Sequence, residues 1–218
     1  TYTLKPGALT YGTGGAIDFI ETLEFPVLVE GQAISGDALN NLGILDGTLN
    51  FTQPVQGSVQ FVSEGAGYNN TLGAYTITAD GTIFPASIIL ENGNTATTSD
   101  IYTFNAQQGQ SIGFFIIAEG YDVNNSYNNI DFNNGKLEFI YKYGTADERP
   151  ANVNDNGNDI NLVFTNGTTG AETILNGPIY HTTERGGSES INADNSIRIV
   201  SGLADDTDNT VLRIGFED

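Results

Sequence analysis

The chain has 218 residues, with 7 Lys and Arg against 27 Asp and Glu, so its formal charge is −20, and it contains no Cys, Met or Trp. A disulfide scaffold, a zinc–thiolate centre and a nucleophilic cysteine are therefore excluded. A field this negative repels phosphates, which removes nucleic acid and anionic membrane surfaces as partners unless cations intervene.

Chains of this length bury roughly 70% of their unfolded surface and need no covalent staples. The longest apolar run, Ile112 to Ala118, is strand-sized and far short of the about 20 residues that span a bilayer. No direct membrane insertion is expected. The opening residues carry no charged segment followed by an apolar one, so no signal peptide is expected among them.

The 27 glycines, the 10 Tyr and 12 Phe, and the many Asn and Thr suit strands joined by tight turns better than helices. In chain order, strands are predicted at Phe19 to Val29, Gly43 to Asn50, Ser58 to Ser63, Gly73 to Thr78, Ile101 to Phe104 and Ser111 to Ala118. Next comes Leu137 to Tyr143, where Leu137, Phe139, Tyr141 and Tyr143 share a face while Glu138 and Lys142 point the other way. Asp159 to Phe164, Ser196 to Val200 and the alternating Val211 to Phe216 complete the set. Short strands at this spacing predict an all-β protein, an antiparallel β-sandwich. No repeat or linker tract divides the chain, so residues 1–218 read as one domain, with residues 1–55 as an N-terminal extension.

Asp122 to Gly135, Asp147 to Asn158 and Ala204 to Asn209 are too rich in turn formers for strands and read as long loops. Their clustered carboxylates need an explanation, because two charges ~4 Å apart repel by about 4 kcal/mol at an effective dielectric of about 20. Loops of Asp, Asn, Glu and Gly are what Ca²⁺ takes, since it prefers about six to eight oxygen ligands. Asn152, Asn154, Asn156 and Gly157 match four early positions of a calcium loop. The EF-hand pattern then requires a Glu where Val163 stands, so a partial loop remains, with Asp155 and Asp159 as its charges. Asx-turns capping strand ends explain the same residues without metal. Asp205, Asp206 and Asp208 form a second candidate metal cluster, with a solvated acidic turn as its alternative.

Catalytic constellations are thin. His181 is the chain's one histidine, without nucleophile-elbow, zincin or P-loop motifs to give it partners, and reads as a hydrogen-bonded structural residue. Glu184 and Glu189 flank Arg185, Gly186 and Gly187 and are the weak carboxylate pair available for glycoside hydrolysis.

Four strings in order, FVSEGAGYNNTLGAY (Phe61 to Tyr75), IGFFIIAEG (Ile112 to Gly120), PIYHTTERGGSESIN (Pro178 to Asn192) and VLRIGFED (Val211 to Asp218), resemble the calcium-dependent ligand-binding domain of large bacterial RTX adhesins, the type described as peptide-binding. The resemblance covers residues 56–218. It implies a β-sandwich with long calcium-binding loops that hold several Ca²⁺ ions, one of which helps capture the terminal carboxylate of a short peptide. Carried onto matching positions, it offers Glu64, Glu217 and Asp218 as metal ligands, beside Asp122 at the head of its Asn-rich loop. For the peptide it offers Tyr68, Asn69, Asn70 and the Arg185, Gly186, Gly187 and Ser188 loop. Tyr127, a rigid aromatic among adaptable amides, is a further ligand-binding candidate.

The expectation is a non-enzymatic adhesion module of the extracellular bacterial cell surface, of the kind that builds biofilms. It would be a monomeric unit of a larger chain whose partners are peptide or protein C-termini on other cells. A lectin-like module for surface glycans is the alternative, and a polysaccharide-acting β-sandwich enzyme a weaker one.

Overall fold

A computed structural model describes residues 2–6, 49–51, 53–61, 67–123, 130–182, 189–205 and 208–216. The described residues fold mainly into antiparallel strands: β1 (Tyr2–Pro6), β2 (Leu49–Asn50), β3 (Val55–Phe61), β4 (Thr71–Ile77), β5 (Ile83–Leu90), β6 (Ile101–Ala106) and β7 (Ser111–Ile117). A single helical turn, α1 (Gly120–Val123), precedes β8 (Gly135–Tyr141), β9 (Arg149–Pro150), β10 (Ile160–Asn166), β11 (Glu172–Leu175), β12 (Ile179–His181), β13 (Ile199–Asp205) and β14 (Asp208–Phe216). No helix among the described residues is long and apolar enough to cross a membrane.

The strands form two sheets. One has the order β13-β14-β1-β3-β6, and the other runs β11-β10-β8-β5-β4-β7-β12, with β2 and β9 attached to β7 and β8. The all-β, sandwich-like architecture expected from composition is what the chain adopts. β1 lies inside the smaller sheet, between β3 and β14.

The larger sheet curls. Its two edges, β11 and β12, are consecutive in the chain and joined by residues 176–178 alone. Because every pairing between them is antiparallel, both edges run the same way. Residues 172–181 therefore act as one strand that first pairs with β10 and then changes partner to β7. Gly177, at φ 123°, sits at the change, a conformation that a side chain would strain.

The curl gives β4 and β7 two buried faces. On one side Leu72, Ala74, Ile112 and Phe114 pack with Val59, Phe104, Ile199 and Ile214 of the smaller sheet. On the other, Tyr75, Phe115 and Ile117 pack with Phe139, Leu162 and Phe164 inside the curl. The glycine and aromatic content finds its use here. Gly73 pairs with Phe115, Gly113 with Tyr75, and Gly57 with Phe104, and a Cβ at any of the three would fall within the facing ring. Each ring lies across a cross-strand glycine, which lets large aromatics occupy a closely spaced sheet.

Three expectations change: within Asp147 to Asn158, read as a loop, Arg149–Pro150 forms β9 against β8. Ala204 to Asn209 is not wholly a loop: β13 and β14 run into it, and Asp205 pairs with Asp208 across residues 206 and 207. Tyr143 is not part of the preceding strand, because Lys142 turns the chain at φ 50°.

Candidate functional site

One end of the curled sheet gathers three segments that are far apart in sequence: residues 67–70 ahead of β4, residues 91–95 after β5, and residues 118–122 after β7. Asparagines knit them together. Asn69 Nδ2 donates to Asp122 Oδ2 at 2.8 Å, and Asn94 Nδ2 donates to Asn69 Oδ1 at 3.1 Å. Asn70 Oδ1 accepts from the Glu119 N–H at 2.9 Å, and its carbonyl accepts from the Gly93 N–H. The Asn69 carbonyl takes the Tyr121 N–H, and buried Thr71 donates its hydroxyl to the Glu91 carbonyl at 2.7 Å.

Local chemistry explains each piece. Asn92 Oδ1 caps the turn at Gly93 by accepting the Asn94 N–H, a preferred use of asparagine. Glu119 holds a positive φ of 50°, which turns the chain sharply into α1 and presents its N–H to Asn70.

The resulting surface bears Glu91, Glu119 and Asp122 and no Lys or Arg on these three segments. Tyr68 stands 47% exposed at its edge. Partial burial raises the Glu91 carboxyl above its ordinary pKa. The neighbouring candidates Glu64 and Tyr127 lie outside the described residues.

The 149–159 loop is built differently. Asp155 receives a two-pronged Arg149 guanidinium at 2.6 and 2.8 Å and the Asn152 N–H at 2.8 Å. Arg149 in turn lies over the Tyr141 ring. Asn152 Oδ1 and Asn156 Oδ1 accept the N–H groups of Asn154 and Asn158. The oxygens of the partial calcium loop thus serve as turn acceptors, and Asp155 is half of an ion pair. Asp159 closes a short 3-10 turn, where its carbonyl accepts the Lys142 N–H.

Asp205 and Asp208 are register partners in the β13–β14 ladder. Asp206, Glu184, Arg185, Gly186, Gly187, Ser188, Glu217 and Asp218 lie outside the described residues, and Glu189 opens a 3-10 turn.

The donor chemistry was tested against the calcium that the family resemblance implies. At the Asn-knitted end it fits in kind, because carboxylates and amides stand there beside the Tyr68, Thr71 and Thr95 hydroxyls, and Asp122 has an amide rather than a cation beside it. At Asp155 it fits poorly, since an arginine already supplies the charge. No three His, Cys, Asp or Glu side chains among the described residues stand close enough to share one ion. Main-chain and amide oxygens would have to complete any shell.

Of the residues singled out from sequence, the fold unites Tyr68, Asn69, Asn70 and Asp122. It also brings in Asn94, Glu119 and Glu91, which sequence reasoning missed. The turn string Asn92-Gly93-Asn94 was the signal available for the first; nothing local marks the others, because their partners lie on other strands. Comparison of the chain with protein-family models, with curated proteins and with solved structures yields no match to any of them.

Proposed function

We propose that the chain is a calcium-dependent adhesion module of the bacterial cell surface, binding short peptide termini at the Asn-knitted end of the curled sheet. The observation that carries this reading is the Asn69–Asp122 hydrogen bond. It joins the loop of one adhesin-like string to Asp122, two residues past the end of another, so residues chosen separately as peptide-binding and metal-binding occupy one surface. Three of the four strings also supply neighbouring strands, β4, β7 and β12.

In this reading Asp122, with amide and main-chain oxygens around it, holds a Ca²⁺ ion; the ion supplies the attraction that a −20 chain lacks for a carboxylate. Asn69, Asn94 and Tyr68 orient the peptide, the amides by hydrogen bonding and the exposed ring by packing.

Thermal unfolding in EDTA, Ca²⁺ and Mg²⁺, with peptides ending in free or amidated carboxylates, tests the proposal. Calcium that binds only the folded state adds ~2.7 kcal/mol at a hundredfold excess over Kd. The midpoint is expected to rise with Ca²⁺ specifically, and again only with free-carboxylate peptides. Asp122→Asn should lose the second rise. A midpoint indifferent to Ca²⁺ overturns the reading and moves the search to glycans.

A further inference from the structure

Where residues 172–181 change partner, the sheet opens. Leu162 and Leu175 are the last residues of β10 and β11 in register; beyond them the chain diverges from β10 to join β7. The divergence leaves a notch of about 250 Å³. Ile160, Leu162, Ile174, Leu175 and Ile179 line it together with Asn158, Asn161 and Asn176, and His181 of β12 borders it.

Two properties set this notch apart. In a chain with 34 charged residues, 7 basic plus 27 acidic, none of the residues lining it is Asp, Glu, Lys or Arg. Its histidine is also an anomaly. His181 is 2% exposed, packs against the rings of Phe139, Tyr75 and Phe115 at 4.7, 5.7 and 6.5 Å, and its Nδ1 has no hydrogen-bond partner among the described residues. Buried polar atoms without partners are rare and costly. Burial lowers the pKa of this imidazole to about 3, so at neutral pH it is uncharged, able to give one hydrogen bond and accept another.

The main chain adds polar groups along the same edge. The Thr182 N–H bonds to the Phe114 carbonyl and the Ala118 N–H to the Pro178 carbonyl, so alternate residues of β12 face β7. Ile179 and His181 therefore point their main-chain groups the other way. At His181 the buried side chain of Asn192 takes both, accepting the N–H at 2.6 Å and donating to the carbonyl at 3.2 Å. At Ile179 they face the notch.

We propose that this notch is a binding site for an uncharged ligand about one ring in size, with an apolar body and a hydroxyl or amide tip. The body lies between Ile174 and Ile179, and the tip exchanges hydrogen bonds with the Ile179 main chain and the His181 imidazole. The uncharged lining, in which Asn158, Asn161 and Asn176 stand beside the aliphatic residues, disfavours an ion, and the volume, below the usual range for ligand pockets, excludes a larger molecule. The site is separate from the calcium reading and does not depend on it.

Because His181 is the chain's one histidine, its imidazole ¹⁵N–¹H signals report on this site without ambiguity. Titration of the intact chain with p-cresol or benzamide at millimolar concentration is expected to shift those signals saturably, and benzoate or glucose to leave them unmoved. Ile174→Lys, at a position 39% exposed, should weaken p-cresol at least about tenfold, with the backbone spectrum checking that the variant keeps the fold. No saturable shift with either neutral probe, an equal shift with benzoate, or undiminished binding by I174K would each overturn the proposal. The wild-type contrast between p-cresol and benzoate decides the question even if the variant fails to fold.

Discussion

Strands β4 and β7 divide two cores that are chemically unlike. In the core between the sheets Val59, Leu72, Phe104, Phe114, Ile199 and Ile214 meet, and no titratable group is buried with them among the described residues. The core inside the curl, of much the same aromatic and aliphatic make-up, holds His181 against Phe139 and brings the Tyr75 hydroxyl to 3.4 Å from Thr182 Oγ1. Hydrophobic burial holds both together, and polar cost is concentrated in one. A perturbation that acts on charge should therefore loosen the curl while leaving the sandwich interface intact, and one that acts on volume should strike both alike.

Acid gives the largest effect. His181 is neutral in the fold, with a pKa near 3 against 6.5 in the unfolded chain. Its contribution is fully present above about pH 6.5 and is lost as the pH falls toward 3, because the unfolded chain takes up the proton first. The full loss is roughly 4–5 kcal/mol, of which about 3 kcal/mol falls between pH 7 and pH 4. Urea unfolding at these two pH values, in wild type and in His181→Phe, isolates the term from that of the carboxylates. An identical pH dependence in the two proteins would show that the inner core does not hold the imidazole neutral.

Volume comes next. Gly73→Ala drives a methyl group into Phe115, and Gly57→Ala drives one into Phe104. Each should cost about 1–3 kcal/mol in urea, as overpacked cores do. The comparison is sharpened by a second readout. Phe115 stands 4.9 Å from Phe139, which borders His181, so Gly73→Ala should move the imidazole signals and Gly57→Ala should not. The smallest effect belongs to Tyr75→Phe. Its 3.4 Å contact is long, and Thr182 Oγ1 keeps the Phe114 N–H as a donor, so the loss should stay below about 1 kcal/mol.

How far the sequence carried this picture depended on distance along the chain. Alternation through Leu137, Phe139 and Tyr141 located β8, because one face of that strand is the more buried and its period is written locally, and Val211 to Phe216 located most of β14. β5 escaped: Pro85 interrupts its apolar run, and such an interruption ordinarily argues against a strand. β11 and β12, four and three residues long, are too short to show a period. The Asp205–Asp208 pairing escaped because turn formers at a hairpin tip look the same whether or not the ladder continues beneath them. At the site, Asn69, Asn70 and Asp122 were legible as residue types suited to binding. Their meeting was not, because it rests on β4 and β7 being neighbours, a fact held in no local pattern. His181 was read as a hydrogen-bonded structural residue; its main chain is bonded by Asn192, but its Nδ1 has no partner among the described residues, which no local pattern could show, since satisfaction is a property of the whole surroundings.

The place of β1 bears on how the fold is reached. Tyr2 pairs with Phe61 on one side and with Ile214 on the other. As the chain leaves the ribosome, the first of these pairings becomes available early, but the second must wait until nearly every other strand has been made. Until then one edge of β1 stands open, a template for another chain. The closing step then brings together residues from the two extremes of the sequence, and such non-local pairing is slow. The smaller sheet is thus the one whose assembly is most exposed to crowding by its own copies during synthesis.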